Sequence, residues 1–139
     1  MKSGNVKIEI VGTQVMGTEQ DETFVTAEGI YEREQDVVTV RYIEKIEESL
    51  EIQNRIRLQG NGVTISKRGA IVSDMHFVAG KQSEVAYQTP YGTIPMEIRC
   101  RNVSIKEEEQ SCNIEVEYAL YSGGELVSEC HTKIGIISI

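Results

Sequence analysis

Tryptophan is absent from this 139-residue chain, phenylalanine and proline occur twice each, and cysteine occurs three times. With so few bulky rings, the interior must be filled by aliphatic and tyrosine side chains, which makes a wide enclosed space hard to close. The prolines, Pro90 and Pro95, mark no linker, and no repeat or biased tract points to a second module. Cys100, Cys112 and Cys130 are an odd, widely spaced set. That spacing excludes a disulfide scaffold or a zinc ribbon and reads as reduced thiols, with no metal and no cofactor expected. Cys130 and His131 are adjacent, and neighbours on a strand point to opposite faces, so they cannot chelate one ion. No apolar run approaches the roughly 20 residues of a spanning helix. The first apolar stretch, Val6 to Val11, is broken by Lys7 and Glu9, unlike a secretory signal. The expected location is the cytoplasm, away from the membrane.

Positive charge is scarce as well: 14 Lys and Arg stand against 22 Asp and Glu, a net charge of −8. Such a balance repels phosphate backbones at long range and argues against nucleic acid as a partner. The chain is 40% hydrophobic, enough at this length for one domain with a buried core spanning residues 1–139.

What the sequence has in abundance is alternation with a period of two. Val6, Ile8 and Ile10 alternate with Lys7 and Glu9, and the pattern returns over 24–31, 37–43, 52–58, 63–67, 71–78, 84–88, 94–101, 114–121 and 126–137. About ten short strands at this spacing predict an all-β sandwich or barrel. Asn61-Gly62 predicts a two-residue hairpin that sets Leu58 opposite Ile65. Ser122-Gly123-Gly124-Glu125 predicts another, with a bulge that aligns Ile114, Val116, Tyr118 and Leu120 with Leu126, Cys130 and Ile134. Folding about Glu107-Glu108-Glu109 places Arg99 opposite Glu117 and Arg101 opposite Glu115. The three-and-four spacing of Ile43, Ile46 and Leu50 is the sole helical pattern, and it predicts a loop or single helical turn over 44–50.

Consecutive hairpins in this number favour a single closed antiparallel up-and-down barrel of 8 to 10 strands, which leaves no edges exposed. About eight strands can just be filled by side chains or hold one small ligand, so ten leave room for a pocket. Catalytic signals are weak, because no phosphate loop, nucleophile elbow or zinc-binding helix occurs. Asp74 and His76 share a strand face and could form an acid–base pair, yet Ile71, Met75 and Phe77 take the apolar side, which points that pair outward. A cysteine nucleophile would need a lowered pKa. Cys100 and Cys130 sit in apolar rows, and Cys112 follows an acidic turn.

Lys67-Arg68-Gly69, Phe77 with Gly80, the segment Tyr87-Gln88-Thr89-Pro90-Tyr91-Gly92, and Tyr42-Ile43-Glu44 carry a resemblance to the YwiB-like family of uncharacterised bacterial proteins, extending over nearly the whole chain. The resemblance implies a calycin-like barrel, in the architectural group that includes lipocalin-type binders, and no established activity. Within it, Gly69 and Gly92 serve tight backbone bends. Arg68 is a barrel-end brace or an anion ligand, and Tyr42 and Tyr87 are core tyrosines or ligand contacts. Tyr42, Arg68, Phe77, Tyr87 and Met96 are the candidate ligand-binding residues for a small, partly apolar molecule. The alternatives are a protein-interaction module, as in a homodimer, and an enzyme using Asp74 and His76 or a free cysteine.

Overall fold

Alternating side chains commit the chain to strands, and the computed structural model, which describes residues 1–139, contains ten of them and no helix. In chain order they are β1 (Gly4–Met16), β2 (Glu19–Glu34), β3 (Val37–Glu47), β4 (Leu50–Gln59) and β5 (Gly62–Gly69). There follow β6 (Ser73–Phe77), β7 (Gln82–Thr89), β8 (Gly92–Glu107), β9 (Ser111–Ser122) and β10 (Glu125–Ser138). All pairings are antiparallel, in the order β6-β5-β4-β3-β2-β1-β10-β9-β8-β7. Every hairpin partner is a sequence neighbour, and β1 closes on β10 from Val6↔Ser138 to Val15↔Glu129.

The barrel is nearly closed rather than closed. The gap lies between β6 and β7, because β6 is only five residues long and cannot carry a full ladder. Val72 and Gln88 exchange two backbone hydrogen bonds across it, and the Ser83 hydroxyl donates to the His76 carbonyl at 3.2 Å. Further down, Gly80 donates to the Cys100 carbonyl and Cys100 to that of Lys81, stitching the 78–81 loop to β8.

Several expected details differ, through a β-bulge in β3 and through hairpin turns that sit at other residues than expected. Residues 44–47 continue β3, and Glu48-Ser49 form a tight turn into β4, so no helical turn exists at 44–50. A register shift between Lys45 and Glu47 puts the alternation out of phase by one, which is how Ile43, Ile46 and Leu50 come to mimic helical spacing. The β4–β5 turn is Gly60-Asn61 rather than Asn61-Gly62: Gly60 adopts φ +60°, Leu58 faces Val63, and Ile65 faces Ile56. The β8–β9 turn closes at Glu107↔Cys112, further along the chain than a fold about Glu107-Glu108-Glu109, which sets Asn102 opposite Glu117 and Ser104 opposite Glu115. A bulge between Cys100 and Asn102 then sets Arg99 opposite Ala119. Arg99 therefore pairs with Glu97 and lies over the Tyr121 ring, and Arg101 pairs with Glu129. The expected bulge in β10 is present between Leu126 and Ser128. It aligns Cys130 with Tyr118 and Ile134 with Ile114, but Leu126 stays exposed outside the core row.

One continuous core lines the barrel, drawn from the inward positions of the strands. On β4, buried Ile52, Asn54, Ile56 and Leu58 alternate with exposed Glu51, Gln53, Arg55 and Arg57. The end carrying the 34–37, 59–62 and 107–111 turns is packed shut by Val6, Ile8, Tyr31, Cys112, Ile114 and Ile136. There the Tyr31 hydroxyl donates to Glu107 at 2.6 Å, and Arg33 bonds both groups. The opposite end carries the β1–β2, β3–β4, β5–β6, β7–β8 and β9–β10 hairpins.

Candidate functional site

A cavity of about 340 Å³ opens inside the barrel at the end bearing those hairpins. Its apolar wall comes from inward residues of four strands: Met75 of β6, Val85 of β7, Met96 of β8 and Leu120 of β9. Facing them are polar groups from β1, β2 and β10: Gln14, Asp21, Thr23 and Thr132, with Tyr87, Tyr118 and Cys130 between. These residues meet because the upper half of each strand keeps the alternation of the lower half while small or polar side chains replace the branched aliphatics. At the closed end β1 turns Val6 and Ile8 inward, whereas here it turns Gly12 and Gln14 inward.

The polar side is hydrogen-bonded into a ladder. The Gln14 amide donates to the Ser128 hydroxyl at 3.0 Å, and that hydroxyl lies 3.5 Å from the Cys130 sulfur. Burial raises the pKa of the Tyr118 phenol, and the neighbouring Cys130 raises it further. Burial raises that of Tyr87 too, with a smaller contribution from the Glu44 charge. Both phenols are therefore neutral hydrogen-bonding groups at physiological pH.

The cavity gathers two of the five candidate residues, Tyr87 and Met96. Phe77 is fully buried behind it, its ring 4.7 Å from that of Tyr118. Tyr42 is buried among the core residues. Arg68 points away from the interior: it donates to the Lys67 and Ser73 carbonyls and to both oxygens of Asp74. That pairing holds the Asp74 carboxyl below its ordinary range. Gln14, Met75 and Tyr118 line the cavity without having been named as ligand contacts from the sequence, and Cys130, considered there as a thiol, joins them. Gln14 carried one usable signal, a polar side chain at an inward phase of β1.

Near the cavity mouth lies a second polar group. Lys67 extends to Asn54 at 2.7 Å and to Glu44 at 3.2 Å, and Asn54 also donates to Glu44. Its charges and amide satisfy one another, which makes it a brace between β3, β4 and β5.

The residues considered for catalysis are dispersed. Asp74 is held by Arg68, while exposed His76 lies 3.0 Å from the Thr64 hydroxyl. Burial pushes the Cys112 thiol up to about 11, assisted by the Glu107 charge, and burial likewise raises Cys100, so neither supplies a thiolate at neutral pH. Cys130 and His131 do point to opposite faces, and the outer face holds a group that sequence reading missed. His131 lies 2.5 Å from Glu115 and 3.9 Å from Glu117, and their ligand atoms fall within 4.8 Å of one another. These are the side chains able to offer a cation three ligands. Their proximity depends on strand register, which the spacing of residues 115, 117 and 131 does not display.

Comparison with known proteins places this architecture. The barrel superposes on the crystal structure of ywiB protein from Bacillus subtilis with a TM-score of 0.88, covering 100% of this chain and 94% of that one at 14% identity. At that identity the likeness speaks for the fold. No curated protein matches the chain. The model of the family described as "Domain of unknown function (DUF1934)" matches residues 8–134, from the first core strand through the last, and the chain belongs to that family.

Proposed function

We propose that the protein is a non-catalytic, cytoplasmic binding module that holds a small, partly apolar molecule in the barrel cavity. The supporting observation is the cavity itself: about 340 Å³ with Met75, Val85, Met96 and Leu120 on one wall and hydrogen-bonding side chains on the other. That size and that mix of an apolar surface with a few convergent polar groups suit a small organic ligand. Tyr87, Tyr118 and Gln14 are the polar anchors and Met96 and Met75 the apolar contacts, with methionine adapting to irregular shapes. Three unpaired cysteines fit a reducing compartment.

The test is native mass spectrometry of freshly purified protein beside a thermal-shift screen of metabolites and fatty acids. An adduct that is lost on denaturation, and absent from a Met96→Trp variant that fills the cavity, is the expected result. A bare chain mass together with no stabilising compound overturns the proposal.

A second reading, a self-associating interaction module, draws on the hairpin tips around the cavity, where Met16, Ile46, Leu50, Tyr91 and Leu126 are exposed and Tyr91 is 99% so. Sedimentation velocity decides it: a concentration-dependent dimer that Tyr91→Ser weakens is expected, and a monomer at all concentrations removes it.

A further inference from the structure

Arginine is unevenly spread over this acidic molecule. Of the seven in the chain, Arg41, Arg55, Arg57 and Arg68 occupy outward positions on three adjacent strands, β3, β4 and β5. Arg41 and Arg55 are direct cross-strand partners, an arrangement of like charges that destabilises a sheet unless something lies between them. Arg33, Arg41, Arg68, Arg99 and Arg101 each reach a carboxylate, on Glu107, Glu32, Asp74, Glu97 and Glu129 respectively. Arg55 and Arg57 reach none.

The surface around this pair is concave. A groove of about 560 Å³ runs across the outer face, with Arg41, Arg55 and Arg68 along it, Gln53 and Ser66 beside them, and exposed Ile30 and Ile43 supplying apolar surface. Ser66 stands directly across from Arg55 and is buried, and on its other side it faces Asp74, whose carboxyl its hydroxyl helps Arg68 to hold below the ordinary range. A second hollow on the far side shares Arg41 and Arg55 and adds Arg57. The two opposed guanidiniums thus stand between two concavities.

We propose that this groove binds a compact anion bearing one or two phosphoryl groups, clasped between Arg41 and Arg55. Guanidinium forks match phosphoryl oxygens two at a time, and an anion seated between the opposed arginines converts their repulsion into attraction. Glu28 borders the groove, and Glu32 and Glu34 border the adjoining hollow. These carboxylates turn away an extended polyanion, in keeping with the net charge of −8, while leaving room for a short one. The groove lies outside the barrel wall, so occupancy here is independent of the interior cavity.

The experiment is calorimetric titration of the full chain with inorganic pyrophosphate and with inorganic phosphate at low salt, on the wild type, Arg55→Gln and Arg101→Gln. One saturable site is expected, weakened at least about tenfold by Arg55→Gln and unchanged by Arg101→Gln, whose partner Glu129 belongs to β10. Without anion, Arg55→Gln should melt no lower than the wild type, since it removes an opposed charge; this shows that any lost binding is not lost folding. Wild-type affinity in Arg55→Gln, equal weakening by Arg101→Gln, or no saturable uptake of either anion overturns the proposal.

Discussion

The two ends of the barrel are built from the same ten strands and differ in almost everything else. At one end Ile8, Ile114 and Ile136 interlock with Tyr31, each at most 1% exposed, and the Tyr31, Arg33 and Glu107 side chains bond to one another across the rim. At the other, Met75 and Met96 are only partly buried, and the inward positions turn to glycine, glutamine and threonine around a cavity. The contrast separates two tasks: the closed end holds the fold, and the open end keeps a space free. Substitutions at the two ends should therefore differ sharply in cost.

The largest effect belongs to the closed end. Ile114→Ala should lower unfolding free energy by about 2–5 kcal/mol in urea titration, since it deletes a fully buried side chain from the core and leaves a cavity behind. Tyr31→Phe should cost less, about 1–2 kcal/mol, because it deletes one charge-assisted hydrogen bond at a half-exposed rim and leaves Arg33 paired with Glu107. Acid sharpens the same comparison. The Tyr31 hydroxyl, followed by the Arg33 charge, holds the Glu107 carboxyl below its ordinary value. A depressed carboxyl contributes stability that is present above its unfolded pKa and is lost as pH falls through its folded one. Titrating the urea midpoint from pH 7 downward should show a loss that begins near pH 4 to 5, roughly the unfolded carboxyl value, and that Glu107→Gln flattens. Tyr31, pushed up to about 12 by burial and then by Glu107, stays protonated throughout that titration and does not contribute to the loss. Met96→Ala should have the smallest effect, under about 1 kcal/mol, because the side chain already borders open space. A cost as large as that of Ile114→Ala would erase the distinction between the ends.

Strand existence was legible in the sequence, while strand register was not. Alternation reports which residues share a face, so the ten elements and the core row of Val38, Ile56, Ile98 and Val116 follow from it. A bulge inserts one residue and reverses that phase without a compositional mark, as at Lys45–Glu47 and Cys100–Asn102. The helical spacing seen at 44–50 stems from the first of these, whereas the misplaced Arg99–Glu117 and Arg101–Glu115 pairs come from a β8–β9 turn that closes at Glu107↔Cys112 rather than about Glu108. Of the candidate site, Tyr87 and Met96 could be seen because they sit at inward phases near a glycine-marked turn. Arg68 could not be oriented, since its neighbour Lys67 is the basic residue turned toward Asn54 and only the fold tells the two apart. The outer arginine pair was invisible for a related reason: Arg41 and Arg55 meet only through the β3–β4 register.

The ladder joining β1 to β10 bears on how the chain reaches this state. While the polypeptide emerges from the ribosome, β1 can pair with β2 at once, yet its other edge waits for the whole intervening meander. Contacts so distant along the chain slow the final step and leave an aggregation-prone edge in the interim. The same adjacency makes the molecule suited to circular permutation. Linking Ser138 to Gly4 and cutting within 78–81, at the weakly bonded β6–β7 gap, would leave every ladder between named strands intact and give a chain whose linear order matches the sheet from end to end.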